Sequence, residues 1–167
     1  MVEIVAQKDF SVEVEADDNL LQYIKTDVSG GTLELKTEKR LNTHSRIRVR
    51  VYAPDIEKLE VGGASHTTLR NLANDALRVD SGGASKVTLE GRTGNLNIDM
   101  GGASRVDAGG LSAVNVTVDG GGASKAMVTV SRELNADLGG ASRLEYSGNP
   151  QHVKKKTSGG STVSQHD

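Results

Sequence analysis

Apolar and polar residues alternate along most of the chain. Leu77, Val79, Ser81, Gly83, Ser85, Val87 and Leu89 share one parity, and Arg78, Asp80, Lys86, Thr88 and Glu90 share the other. The pattern returns with Leu96, Ile98, Met100, Ser104 and Val106 against Asn97, Asp99, Arg105 and Asp107. It returns again with Val114, Val116, Val118, Ser124, Ala126, Val128 and Val130 against Asn115, Thr117, Asp119, Lys125 and Thr129. A period of two marks half-buried strands, one face inward and one in water. No unit carries the 3.6 period that a helical repeat needs.

The alternation is punctuated by one tetrapeptide. Gly-Gly-Ala-Ser stands at Gly62–Ser65, Gly82–Ser85, Gly101–Ser104, Gly121–Ser124 and Gly139–Ser142, with a shortened Gly-Gly-Ser at Gly159–Ser161. Successive first glycines lie 20, 19, 20, 18 and 20 residues apart. Even spacing of strand–corner–strand units predicts an all-β single-stranded β-helix with coils of about 18–20 residues. Each coil is expected to hold a strand, a glycine corner, a second strand and a polar return loop. The loops would be Asn71–Ala76, Gly91–Asn95, Ala108–Ala113, Ser131–Glu133 and Gly148–Gln151. One coil cannot bury its apolar face, so stacking makes the core.

The first third is irregular but still reads as β. Val2–Ala6, Ser11–Glu15 and Arg46–Tyr52 alternate, and Pro54 ends the last of these. Ser29-Gly30-Gly31 between Ile24–Val28 and Thr32–Thr37 predicts a hairpin. Asp17-Asp18-Asn19 ahead of Leu20–Ile24 predicts one helical turn with an Asx cap. Residues 1–54 are read as N-terminal coils and a cap. Residues 55–167 are read as the regular repeats with a C-terminal cap, all in one domain. Lys154-Lys-Lys156 falls where earlier coils place inward Val and Leu, so it reads as that polar cap, and the last four residues as a frayed tail.

Composition narrows the chemistry. Twenty Lys and Arg against 22 Asp and Glu leave a net charge of −2, which gives no case for nucleic acid as partner. Phe10, Tyr23, Tyr52 and Tyr146 are the whole aromatic complement, too few for a base-stacking platform. Without Cys there is no disulfide, thiol nucleophile or zinc–thiolate site. No apolar run approaches the ~18 residues of a membrane span, and no signal peptide is visible at Met1.

Beyond this, Ser11-Val-Glu-Val-Glu-Ala-Asp-Asp-Asn-Leu-Leu-Gln-Tyr-Ile24, Gly31-Thr-Leu-Glu-Leu35, Val51-Tyr-Ala-Pro54 and Leu59-Glu-Val-Gly-Gly-Ala-Ser65 occur in an order that resembles the putative auto-transporter adhesin, head GIN domain family, a bacterial domain of unknown function. The resemblance spans nearly the whole chain. It implies a right-handed β-helix, export to the periplasm or cell surface, and an adhesive role. It carries no catalytic residues. Family members usually have an export signal and one more strand upstream of the position of Val2, and this sequence has neither.

Three constellations remain. The serines of the tetrapeptides (Ser65, Ser85, Ser104, Ser124, Ser142) lack a Gly-x-Ser-x-Gly context, and His44, His66, His152 and His166 are the available bases. They read as an inward ladder bonded to backbone or to the next coil. Gly120-Gly-Gly-Ala-Ser-Lys125 lacks the spacing and the following helix of a phosphate loop. Finally, two residues before each Gly-Gly stand Glu60, Asp80, Asp99, Asp119 and Asp137, and just after each Ser stand His66, Lys86, Arg105, Lys125 and Arg143. An acidic and a basic ridge should therefore run along the solenoid on its solvent side, on neighbouring faces. They either keep the solenoid soluble, grip a charged polymer or partner, or supply the Asp and Arg/Lys of a polysaccharide lyase. A residue recurring in every coil belongs to the lattice, whereas a catalytic centre is local.

The expected function is thus a non-enzymatic, exported, adhesin-like binding module. No cofactor or metal is expected, and the partner would be a cell-surface polymer or protein. The alternatives are a self-associating structural solenoid, with the chain as a homo-oligomer, and a polysaccharide-active enzyme.

Overall fold

The computed structural model describes residues 1–37 and 47–166. Its elements run β1 (Val2–Ala6), β2 (Ser11–Glu15), α1 (Asp18–Leu21), β3 (Ile24–Ser29), β4 (Thr32–Thr37), β5 (Arg48–Ala53), β6 (Lys58–Val61), β7 (His66–Ser81), β8 (Lys86–Met100), β9 (Arg105–Gly120), β10 (Lys125–Leu138), β11 (Arg143–Ser147), β12 (His152–Thr157) and β13 (Thr162–Gln165). They form a β-solenoid of about six turns.

Each full coil has three parallel ladders. The first precedes the glycine corner: β6 pairs with 78–81 of β7, which pairs on through β8, β9, β10 and β12. The second follows the corner, from 66–70 of β7 down to β11 and β13. The third corrects the expectation of return loops at four of the five positions, which lie within β7 to β10, while Gly148–Gln151 is a loop as expected. Leu72↔Gly91, Ala73↔Arg92 and Asn74↔Thr93 are ladder pairs, continued by Gly91↔Leu111, Arg92↔Ser112 and Thr93↔Ala113. These segments look like loops because one or two buried residues stand among polar ones. Leu72 and Leu111 nonetheless point into the core, 2% and 0% exposed.

The alternating residues stack into columns. Leu77, Leu96, Val116 and Leu134 are consecutive register partners, and all are buried. Burying a side chain of this size contributes roughly 1.5–3 kcal/mol, so the coils hold one another rather than folding singly. Two parity assignments fail. Val114 is exposed because the chain turns there from the third ladder into the first. Gly83 and Gly102 are also exposed, since the corner lifts them off the interior at φ 70°. The corners stack through backbone: Ala103 N donates to Gly83 O at 2.8 Å, and Ala123 N to Gly102 O at 2.8 Å.

The N-terminal strands extend the second ladder. β1 lies between β7 and β5, parallel to both, and β2 closes antiparallel on β5. The strand expected at Arg46–Tyr52 is β5, and Arg46 itself lies outside the described residues. The hairpin is β3–β4, with Gly30 and Gly31 both at positive φ, the geometry that suits the twist of a two-residue turn. The helical turn begins earlier than expected, at Asp18. Its N-cap Asp17 makes no side-chain cap, and the Asp17 carbonyl alone accepts from Leu20 and Leu21 N–H.

At the other end the lysines divide. Lys154 and Lys156 pair with Asn135 and Asp137 on the outward side, and Lys155 alone continues the inward column of Ala136. Its ammonium lies 5.1 Å from the centre of the Tyr146 ring, so a cation sits over the last buried aromatic. In the described tail, Thr162–Gln165 is β13 rather than frayed, and Gln165 Nε2 donates to Gly148 O at 3.0 Å.

Candidate functional site

The outward positions of the ladders produce the two expected columns. In the first ladder Glu60, Asp80, Asp99, Asp119 and Asp137 are register partners coil by coil, and the column ends on Lys156. In the second, His66, Lys86, Arg105, Lys125 and Arg143 do the same, ending on Thr162. Parallel in-register pairing puts neighbours in each column about 4.8 Å apart at the backbone. The exposed Gly-Gly-Ala corners separate the columns. Among the described residues no ion pair joins one column to the other.

Each column is partly neutralised from its own ladder. Lys58 pairs with Glu60 and, at 3.8 Å, with Asp80, while Arg78 lies 3.1 Å from Asp80 and Lys156 2.7 Å from Asp137. The Glu60 hydrogen bond raises the Lys58 ammonium above its ordinary value, and Asp137 does the same for Lys156. Asp99 and Asp119, at the middle of the acidic column, have no ion pair among the described residues. On the basic side Lys125 donates to Glu145 at 2.8 Å, and that hydrogen bond holds the Glu145 carboxyl below the usual carboxylate range. Lys86, Arg105 and Arg143 have no ion pair among the described residues. Like charges one coil apart lie well inside the ~8 Å Debye length of physiological salt, so the neighbours without ion pairs, Asp99 with Asp119 and Lys86 with Arg105, repel one another.

The arrangement limits the chemistry. The acids stand in single file, and no group of three or more His, Asp or Glu among the described residues converges on a point where a metal could sit. The recurring acids and the recurring bases of the two columns occupy different ladders, and the acid–base pairs that share a ladder, such as Lys58–Glu60, Arg78–Asp80 and Lys125–Glu145, are ion pairs on outward positions. Ser85, Ser104, Ser124 and Ser142 are buried and bond to backbone, to their own corner or to the next coil: Ser104 Oγ donates to Ser81 O at 3.3 Å, Ser81 Oγ and Ser85 Oγ share a hydrogen bond of 2.8 Å, and Ser124 Oγ donates to Ser142 Oγ at 3.2 Å. No serine hydroxyl bonds a histidine among the described residues, and His44 lies outside them.

One feature escaped the sequence reading. A groove of about 710 Å³ runs across five coils beside the third ladder, lined by Asn74, Arg92, Ser112, Val114 and Ser131 among others. An asparagine network starts at Asn74 and runs on beside it. Asn74 Nδ2 donates to Ile56 O (2.9 Å), Ala76 O (2.8 Å) and Asp55 Oδ1 (3.1 Å), and Thr93 Oγ1 donates to Asn74 Oδ1 (2.8 Å). Asn115 Nδ2 donates to Asn95 Oδ1 at 2.8 Å. The available signal was Asn95 and Asn115 at the same repeat position.

No helix of the described residues is long and apolar enough to cross a membrane. Among curated proteins nothing matches the chain. Solved structures share its fold at low identity. A putative adhesin from Bacteroides fragilis is 17% identical, with a TM-score of 0.77 over 99% of this chain and 87% of its own. A putative adhesin from Parabacteroides merdae is 15% identical, with a TM-score of 0.56 over 99% and 88%. A protein from Parabacteroides distasonis described as a putative lipid binding protein is 15% identical, with a TM-score of 0.53 over 99% and 88%. The family profile described as "Putative auto-transporter adhesin, head GIN domain" matches residues 1–150, and with the order of its β-segments and glycine corners the chain belongs to that family.

Proposed function

We propose that the chain is a non-enzymatic binding module of adhesin type, exported to the cell surface or periplasm, with residues 1–54 and 55–167 acting as one continuous domain. The observation that carries this reading is the pair of in-register charged columns, repeated through five coils. Such a surface offers many equal contacts to an extended partner and no single point for bond-making. The adhesin descriptions of the family and of two structural neighbours agree with it. The test is saturable binding of the labelled chain to a panel of isolated bacterial envelopes, with release of new reducing ends followed in parallel. Binding without release is expected. Release of reducing ends would make the chain an enzyme, and absence of any binding would remove the adhesin reading.

A second reading rests on the groove. Val114, 39% exposed, lies in it beside Ala113 and Val130. A neighbour of the same fold is described as lipid binding. An apolar chain laid along the third ladder would cover Val114, and Val114→Asp would then abolish fatty-acid uptake while leaving envelope binding intact.

A further inference from the structure

We infer that the basic column of the second ladder is a docking strip for a linear acidic polysaccharide carrying one carboxylate per sugar. The inference rests on the binding-module reading and names its partner. The strip is His66, Lys86, Arg105, Lys125 and Arg143, each the register partner of the next. Its charges are therefore spaced by the coil step, about 4.8 Å, and cannot slip relative to one another without turning every apolar side chain out of the core.

Three features single out this column. First, most acids of the same ladder are already ion-paired. Glu145 accepts from Lys125, and Glu3 and Glu90 lie against Arg70, while Asp107 accepts only from Gly109 N at 3.2 Å and keeps its charge. Lys86, Arg105 and Arg143 are left with no ion pair among the described residues, whereas the acidic column receives Lys58, Arg78 and Lys156. Second, Arg at two of the five positions can grip a carboxylate with two parallel hydrogen bonds. Third, the edge of the strip beside the corner is low, because Ala84, Ala103 and Ala123 are exposed and project no more than a methyl group.

Charge sign and spacing point to the ligand class. An extended chain of equatorially linked uronic acids advances by about one ring per sugar, of the same order as the coil step, so over a few sugars its carboxylates keep pace with the strip. Nucleic acid would want exposed aromatic faces for stacking, and on the second ladder the aromatic Tyr146 is buried.

The experiment is titration of the full chain with calcium-free sodium polymannuronate at low and at physiological salt. Neutral dextran and single-stranded DNA serve as parallel arms. The variant Lys86→Gln/Arg105→Gln/Arg143→Gln and the acidic-column variant Asp99→Asn/Asp119→Asn are titrated beside the parent, after matching melting curves show both folded. Expected are binding of polymannuronate that weakens with salt, a loss of at least about tenfold in the triple variant, equal or tighter binding in the acidic-column variant, and none to dextran. Polymannuronate binding unchanged in the triple variant, no binding at low salt, or DNA bound as tightly each overturns the inference. Should envelope binding persist when polymannuronate fails, the binding-module reading survives and this ligand assignment does not.

Discussion

Gly102 stands at φ 70°, and a Cβ built on it would lie 2.6 Å from the carbonyl oxygen of Gly83 in the coil before. Gly83 meets Gly63 O at 2.7 Å in the same way. From Gly83 onward the second glycine of the corner is thus required twice, by backbone conformation and by the backbone of the coil before it, whereas at Gly63 conformation alone requires it. Gly102→Val should destabilise the fold by about 2–4 kcal/mol in urea unfolding, combining strained φ with overpacking. Ala103→Val, at an exposed position, should stay within about 0.5 kcal/mol. Equal losses would mean the corner is not stacked as described. The need for glycine was legible from the repeat, but its direction was not. Period-two parity placed Gly83 inward, and parity does not survive a corner that reverses φ. The Lys125–Glu145 pair gives a pH prediction. The carboxyl of Glu145 is depressed by the Lys125 hydrogen bond, so its contribution is present above the ordinary carboxylate pKa and lost as pH falls through the depressed one. Glu145→Gln should therefore differ from the parent in melting temperature at neutral pH, and the two should converge below the carboxylate range. A gap that persists at acid pH would place the effect of Glu145 in packing.

Among the elements, the strands flanking the glycine corners could be read from alternation alone, as could the β3–β4 hairpin. The third ladder could not. Over Leu72–Asn74 and its stacked partners there are too few residues to show a period, and the polar groups satisfied between coils look solvent-bound in one dimension. Asn74 makes the point, since its amide ties Ile56 and Ala76 backbone to Thr93 of the next coil. Asn74→Ala should cost about 1–3 kcal/mol by leaving those part-buried groups unpaired. Asn95→Ala, with one donated bond to Asp75 O and one accepted from Asn115, should cost less. The reverse order would show that the third ladder is not held through Asn74. Helix α1 was foreseen as a single turn, but its cap was not a matter of composition. An Asp at the right position still needs its χ1 to aim at the N2 or N3 amide, and that of Asp17 does not.

Taken as a whole, the molecule presents two charged columns that were both visible in the sequence as a constant six-residue offset, because a solenoid converts sequence period directly into spatial alignment. Which members keep uncompensated charge was not visible, since Lys58, Arg78 and Lys156 reach the acidic column along and across the first ladder. Among the described residues no group of three or more His, Asp or Glu gathers where a cation could sit. Millimolar calcium should leave the melting temperature of the parent unchanged, and Asp80→Asn/Asp99→Asn/Asp119→Asn should fold and show the same indifference. Calcium stabilisation in the parent that the triple variant loses would make the acidic column a metal site.

If function resides in the lattice rather than in a local centre, contacts should be shared evenly along the basic column. The direct measurement is envelope affinity for four single variants, Lys86→Gln, Arg105→Gln, Lys125→Gln and Arg143→Gln, each checked for an unaltered melting curve. Similar, graded losses are predicted, smallest for Lys125, whose ammonium Glu145 already holds. One variant that abolishes binding while the other three leave it intact would contradict this and point to a single local site.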